Sequence, residues 1–493
     1  MKNLVRSSIL VLALFSVSAS ATDLGAQANH GHHTRHQQYK LIDLGTLGGP
    51  SSLIFGLTGP INESGMVLTE SADTAAPNPF YPNDNPYLNL PFVQHAFLWF
   101  RSQVRDLGTL PNGVGSGGQW INDYGVVAGA AGNGLIDSGT GYPAVNAVRW
   151  RNGNIRNLGT FGGEESIAFA INNRDQIAGG ASNGVPDHFL NTDFLPFPGG
   201  TQVHAFRWER GEMQDLGTLG GPDSIGFYIN ERGEVAGQSL TNSTPNPSTG
   251  FPTVDSFLWK DGRMIDLGNL GGTYGAPNVV NNHSQIAGFS NLAGDTKQHP
   301  FFWERGVLTD IGTFGGDNGE AIWMNDAGQV VGTADLADGT HHAFVWQRGR
   351  MRDVGTVGTD PCSNGKGINS WGLATGTTTD CNGNILHLFL WKNGEIVNLS
   401  ALIRPGSDVT VTDLAMINDR GEIAGEGVTA DGNQRAILLV PDGDCDDECE
   451  RGLDAASDLP VPAMHSAFPT ASTSAPQKVT RHQSLARRRH SFQ

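Results

Sequence analysis

The sequence predicts an all-β protein, an eight-bladed β-propeller of four-stranded blades, and three observations carry that expectation. A phrase ending in Trp recurs at Trp99, Trp150, Trp208, Trp259, Trp303, Trp346 and Trp391, with spacings of 51, 58, 51, 44, 43 and 45 residues. That period marks a propeller or a related array. A second phrase closes on Asn62, Asn122, Asn172, Asn230, Asn281, Asn325, Asn369 and Asn418, which defines eight repeats, numbered by that Asn. The two ends of the repetitive stretch also complement one another. Leu41 to Gly45 is a lone Asp-Leu-Gly strand with no preceding partner, and Ala436 to Val440 is a partner strand with no following Asp-Leu-Gly. Pairing them completes the eighth blade from both termini and removes exposed sheet edges. A seven-bladed propeller with one irregular unit and an open β-solenoid are the competing readings.

Within a repeat each strand has its own signal. His95, Phe97 and Trp99 alternate with Ala96 and Leu98, the period of two that gives a strand two different faces. Asn152-Gly153, Asp261-Gly262 and Asn393-Gly394 mark the hairpin turn that follows, because a two-residue hairpin needs positive φ. The returning strand carries Asp106-Leu107-Gly108 or its equivalent and leaves through a Gly-rich crossover such as Thr218-Leu219-Gly220-Gly221. Next comes an apolar strand ending in Ile-Asn, a turn closed by Gly125, Gly233, Gly328 or Gly421, and a fourth strand such as Val235-Ala236-Gly237.

Outside the ring, expected over residues 39–442, the chain reads differently. Lys2 and Arg6, the apolar run from Ile9 to Val17 and Ala19-Ser20-Ala21 form a signal peptide over residues 1–21. Residues 22–38 are a flexible leader containing His30, His32, His33 and His36, without the fixed geometry of a metal site. Residues 443–493 have no apolar pattern, end in Arg487, Arg488 and Arg489, and read as a disordered tail with a basic end. An exported protein, periplasmic or extracellular, with no integral membrane segment after signal cleavage, is the expectation.

His95-Ala96-Phe97, His204-Ala205-Phe206 and His342-Ala343-Phe344, each followed by Trp and Asp-Leu-Gly or a variant, resemble the bacterial extracellular HAF-repeat family. The resemblance covers nearly all of the ring. Asn146-Ala147-Val148 and Asp255-Ser256-Phe257 depart from it by lacking the His, and Asn398-Leu399-Ser400 replaces Asp-Leu-Gly. It implies an exported repeat protein and brings no agreed activity or catalytic residues.

The 67 Gly, 25 Pro and 16% charged residues suit a turn-dense β protein. A net charge of -18 argues against a nucleic-acid partner, whose phosphates need clustered Lys and Arg. Cys362 and Cys381 flank the hairpin of repeat 7 almost symmetrically and are expected to form a disulfide; Cys445 and Cys449 are close enough for a local one. A zinc site made by all four is less favoured, because paired Cys-x-x-Cys knuckles are missing. The acidic run from Asp442 to Glu448 lacks the ligand spacing of a calcium loop and reads as a solvated linker. No metal and no cofactor is expected.

Alternate connections of a propeller fall on opposite faces. The loops before His-Ala-Phe, roughly residues 69–94, 130–146, 180–203 and 238–255, are long only in repeats 1 to 4. They carry Phe80, Tyr81, Tyr87, Phe92, Tyr142, His188, Phe189, Phe194, Phe197 and Phe251 among Pro, Asn and Asp. Loops on a rigid scaffold are where binding concentrates, so this half-face is the candidate for a glycan, peptide or cell-envelope protein partner. The competing reading is that these aromatics pack the loops onto the ring. Gln119, Asn278 and Lys366, three residues before the repeated Asn, are candidates for lining a central channel. The repeated Asp106, Asp215, Asp266, Asp310 and Asp353 recur too regularly for an active site, which needs one constellation. The expected function is a binding or scaffold module; a secreted hydrolase or lyase with its site at the channel mouth is the alternative.

Overall fold

A computed structural model of the chain describes residues 37–54, 58–80, 91–138, 141–187, 200–247 and 249–444. The expected signal peptide and His-rich leader through His36, Cys445, Cys449 and the expected basic tail lie outside the described residues. What is described is almost entirely β-structure: five four-stranded sheets and one twelve-stranded sheet. Repeat 2 shows the common plan. Strands Ser116–Ile121, Val127–Ile136, Pro143–Arg151 and Asn154–Asn157 lie side by side in chain order, each antiparallel to the next. The twelve-stranded sheet is three such modules, repeats 4 to 6, joined through the parallel pairs Val254↔Tyr274 and Gln298↔Asn318.

The two ends pair as their complementary motifs predict. Gln37–Asp43 runs antiparallel to Gln434–Asp444, with Leu41 opposite Leu439 and Asp43 opposite Ile437. The first strand of the described chain is therefore the fourth strand of repeat 8. The sheet continues through Asp444, and Arg404 Nη1 holds the Asp442 carboxylate at 2.8 Å, so the acidic run begins inside the fold rather than as a linker.

Local chemistry explains the turns. Asn152-Gly153, Asp261-Gly262 and Asn393-Gly394 all hold positive φ at both positions, the geometry of a tight hairpin that matches strand twist. The Phe of His-Ala-Phe is buried in repeat after repeat, as Phe97, Phe206 and Phe344. Its ring lies against the Gly of the neighbouring Val-Ala-Gly strand. A Cβ on Gly332 would stand 2.7 Å from Phe344, and one on Gly376 would stand 2.4 Å from Phe389. Glycine there makes room for the ring. Core clusters then join successive repeats: Leu68 and Ala96 of repeat 1 pack with Ile121, Val127, Val148 and Trp150 of repeat 2. Burial between sheets is the main stabilising term, since each sheet has a face that water must leave.

The repeated Asn links all eight repeats. Asn62 Nδ2 donates to the Asn122 carbonyl at 2.9 Å, and Asn122 to Asn172 at 3.0 Å. The relay continues through Asn230, Asn281, Asn325, Asn369 and Asn418, and Asn418 donates back to Asn62 at 3.1 Å. Each Asn Oδ1 meanwhile accepts two backbone N–H groups of its own turn, as from Tyr124 and Val126 onto Asn122, both at 3.0 Å. An amide side chain accepts and donates at once, which neither an ionised Asp nor a Gly can do.

Candidate functional site

The repeated His and Asp occupy one structural lock. His95 Nδ1 lies 3.0 Å from Asp106, His204 2.8 Å from Asp215, His299 2.9 Å from Asp310 and His342 2.9 Å from Asp353. The same Asp accepts the backbone N–H of the following Gly, at 2.7 Å for Asp106 and Gly108 and 2.8 Å for Asp215 and Gly217. The Asp thus turns the chain into the crossover and ties the fourth strand to the third. Where Asn398 replaces Asp, a single helical turn, Leu399–Leu402, replaces the Gly turn, and His387 takes Asp360 at 2.7 Å instead.

Gln119, Asn278 and Lys366 occupy one register. The pairing of the first two strands shifts between Gly118 and Trp120, between Pro277 and Val279, and between Gly365 and Gly367, so each of the three is the extra residue of a β-bulge. Their polar atoms are taken up between repeats. Gln119 Nε2 donates to Glu70, Asn278 Nδ2 to Glu320 at 2.8 Å, and Lys366 Nζ pairs with Asp413 at 2.8 Å. The residue one place further on, unremarked in the sequence, is the one that reaches distant repeats. Trp120 stacks on Trp323 with ring centroids 5.8 Å apart, and Tyr228 meets Trp120 edge-on at 6.3 Å. Gly59 sits beneath Trp120, where a Cβ would come within 2.3 Å of the indole.

The long connections of repeats 1 to 4 need redrawing. Strands extend well into the segments expected as loops: Val67–Pro77 pairs with Phe92–Phe100, Val127–Ile136 with Pro143–Arg151, and Ile177–Pro186 with Thr201–Glu209. Among the described residues of the four connections, 78–80, 91, 137–138, 141–142, 187, 200, 241–247 and 249–253 lie outside strands. Irregular register, as between Gly132↔Val145 and Ile136↔Pro143, lets a hairpin continue through a Gly-rich stretch that reads as loop. Phe80, Phe92, Tyr142 and Phe251 are half-buried. Tyr81, Tyr87, His188, Phe189, Phe194 and Phe197 lie outside the described residues. Leu135, Ile136 and Val185, which composition did not single out, expose apolar surface on the extended hairpin arms.

Beneath these loops lie buried carboxylates. In repeat 1, Asp73 accepts Gln94 Nε2 at 3.0 Å and Ser51 N at 3.1 Å, and burial still raises it above its ordinary value. At the base of the second loop, burial and the nearby Asp137 and Glu164 push Glu165 up to about 8. At the third, burial and Asp187 push Asp223 up to about 7, although Asp223 accepts Val203 N at 2.9 Å. At the fourth, burial raises Asp255, which accepts Asn269 Nδ2 at 2.8 Å. Asp73, Asp223 and Asp255 anchor loop bases by taking backbone and amide N–H groups, the work of buried acceptors, whereas Glu165 Oε2 is buried without a hydrogen-bond partner. Among the described residues no group of three or more His, Cys, Asp or Glu is arranged to hold a metal ion. Cys362 and Cys381 form the disulfide their positions predict, with Cα atoms 5.2 Å apart. No helix among the described residues is long and apolar enough to cross a membrane.

No family model and no curated protein matches the chain. Among solved structures it is similar to the acylaminoacyl peptidase of Pyrococcus horikoshii, with 10% identity and a TM-score of 0.35, covering 79% of this chain and 59% of the peptidase. It is similar to the gluconolactonase XC5397 of Xanthomonas campestris, with 11% identity and a TM-score of 0.26, covering 64% of this chain and 82% of that one. Dipeptidyl peptidase 4 of Porphyromonas gingivalis shares 10% identity with a TM-score of 0.31, covering 76% of this chain and 51% of that one. Likenesses this distant carry no argument about what the chain does.

Proposed function

We propose that this chain is an exported eight-bladed propeller of the extracellular HAF-repeat type, acting as a binding or scaffold module. Its ligand face is the rim built by the long loops of repeats 1 to 4. Closure into eight blades is supported by the Asn relay, which returns from Asn418 to Asn62, and by the pairing of Gln37–Asp43 with Gln434–Asp444. It is supported again by Trp120 and Trp323, which stack although they belong to repeats 2 and 6. In a ring of eight those repeats face one another across the axis. Aromatic side chains then fill the axis, and a ligand is left with the rim. The polar atoms of Gln119, Asn278 and Lys366 already serve Glu70, Glu320 and Asp413, which gives a channel-mouth hydrolase or lyase site no support.

The observation that carries the reading is the asymmetry of the loops. The spans between Pro77 and Phe92, Pro186 and Thr201, and Leu240 and Val254 are longer than the equivalent spans of repeats 5 to 8, and in repeat 2 the paired arms Val127–Ile136 and Pro143–Arg151 extend instead, with Leu135, Ile136 and Val185 exposed. A rigid scaffold carrying anchored loops is the usual arrangement for recognition, and a glycan, a peptide or a cell-envelope protein is the class of partner. The test is an array of glycans and cell-envelope components probed with the secreted protein and with a variant lacking residues 79–90. That cut respects the strand ends, where Asn78 N already bonds Pro91 O at 3.0 Å. A hit on the intact protein that the folded variant loses supports the rim as the site. An array in which every hit survives the deletion, or one without hits, overturns the assignment.

A further inference from the structure

The opposite ends of the same strands carry a second site, independent of the loop face. Arg149 and Arg207 hold equivalent positions, each directly before the Trp of its strand. Arg149 meets a carboxylate fork to fork: its Nε donates to Asp175 Oδ1 at 2.6 Å and its Nη2 to Asp175 Oδ2. Asp175 stands three residues after the repeated Asn172, and the equivalent position after Asn230 is Gly233. One repeat on, the guanidinium is kept and its carboxylate is gone.

The consequence is visible at Arg207. Its Nη1 reaches only the Gly233 carbonyl, at 3.4 Å, and the carboxylate it meets, Glu209, stands 3.8 Å from Nη2 and already accepts Gln176 at 3.0 Å. Its Nε is buried without a hydrogen-bond partner. The Trp259 ring holds the guanidinium from one side, 4.6 Å from its centroid. That Nε is closed to solvent, so the guanidinium, fixed against an aromatic face, offers its Nη1 and Nη2 groups to a two-oxygen acceptor.

A cavity of about 570 Å³ adjoins the fork, lined also by Gln214, Arg232, Glu234, Lys260 and Asp261. Lys260 and Glu234 neutralise one another at 2.8 Å, and Glu234 further accepts Ser284 Oγ at 2.7 Å. Arg232 makes only a 3.5 Å contact to Ser284 Oγ. Two guanidiniums with unused donors therefore face the cavity against the single exposed carboxylate of Asp261. The size suits a small ligand. The walls carry both donors and acceptors, and Arg207 lies over the one aromatic wall, which suits a polyhydroxylated ligand better than an apolar one.

We propose that this cavity binds an acidic sugar, whose carboxylate meets Arg207 through its Nη1 and Nη2 groups. The sugar hydroxyls meet Gln214, Arg232 and Asp261. The test is a titration of the intact protein with D-glucuronate and D-galacturonate, followed by calorimetry and NMR, with glucose, acetate and a short peptide as comparison ligands. Saturable uronate binding is expected, with glucose weaker by roughly tenfold or more, since a charge-assisted bidentate pair is lost.

Two variants probe the fork. R207Q removes it, and G233D returns the carboxylate that repeat 3 supplies from within. The latter position has φ +79°, yet Asp175 and Ser284 hold 64° and 62° at its equivalents, and the added Cβ would stand 2.6 Å from the Gln176 amide, which bonds Asn172 and Glu209 and must shift. R207Q should keep the wild-type melting transition, G233D should stay folded with a lower one, and both should lose uronate binding by roughly tenfold or more. The variant lacking residues 79–90 should bind uronate as wild type does, which separates this site from the loop face. Absence of uronate binding, uronate binding retained by folded R207Q, or a peptide carboxylate that binds more tightly than either uronate overturns the proposal.

Discussion

The side-chain amide of Asn418 donates to the backbone carbonyl of Asn62 at 3.1 Å, joining residues 356 apart in the chain. Its Oδ1 accepts Arg420 N at 3.1 Å and Glu422 N at 3.0 Å, so one buried side chain shapes its own turn and closes the relay between the last repeat and the first. Asn418→Asp keeps the acceptors, removes the donor and introduces a charge. A loss of about 1–3 kcal/mol is expected, the cost of leaving a buried polar group unpaired. Urea unfolding checks it through the midpoint. A variant as stable as wild type would show that the closing bond contributes nothing.

The His204–Asp215 lock sets a pH window. Its hydrogen bond to Asp215 raises His204, so its contribution is complete below the ordinary His pKa and is lost as pH rises through the folded value. Asp215 is pushed up by burial, but the bonds from His204 and Gly217 outweigh this and hold it below its ordinary value. That part is present above the ordinary Asp pKa and is lost as pH falls through the folded value. His204→Ala should therefore lower the melting temperature most between about pH 4 and about pH 6.5. Both side chains are partly exposed, so the effect should stay below about 1 kcal/mol. A pH-independent difference between the two melting curves would count against the ion pair.

Buried acids predict a further fall in stability at higher pH. Burial pushes Glu165 and Glu426 up to about 8 and Asp223 up to about 7. An acid with a raised folded pKa binds more protons folded than unfolded. Stability should therefore fall as pH rises from the ordinary carboxyl range through these values. Glu426→Gln retains an acceptor for Ile54 N, which bonds Glu426 Oε1 at 3.1 Å. It should melt like wild type near about pH 5 and above wild type near about pH 9. Thermal scans at the two pH values decide, and equal melting curves at the higher one would refute the raised value.

Cys362 and Cys381 close a loop with a sequence separation of 19. Replacing both by Ala should cost about 3 kcal/mol, the chain-entropy value for a loop of this length. Reducing agent should lower the wild-type melting temperature and leave the double variant unaffected. A double variant with wild-type stability would make the bond incidental.

What the sequence determined by itself is whatever depends on near neighbours. Asn152-Gly153 fixes a hairpin because φ is a property of two residues, and Asp215 fixes its turn because the acceptor and Gly217 N are two residues apart. Repetition then multiplied each local signal until the order of strands, the pairing of the two ends and the structural role of the repeated Asp could be read directly. The tertiary structure alone decided where those elements meet. Nothing near Asn62 says that its amide reaches Asn122, because the partner belongs to the next repeat. Gln119, singled out for its polarity, is a bulge residue whose side chain turns to Glu70, whereas its neighbour Trp120 reaches Trp323. One extra residue in a strand exchanges its two faces, and the register that places it is set by a second strand. The fork at Arg207 follows the same logic: Gly233 is an ordinary turn glycine in sequence, and only its place beside a guanidinium makes the lost carboxylate count.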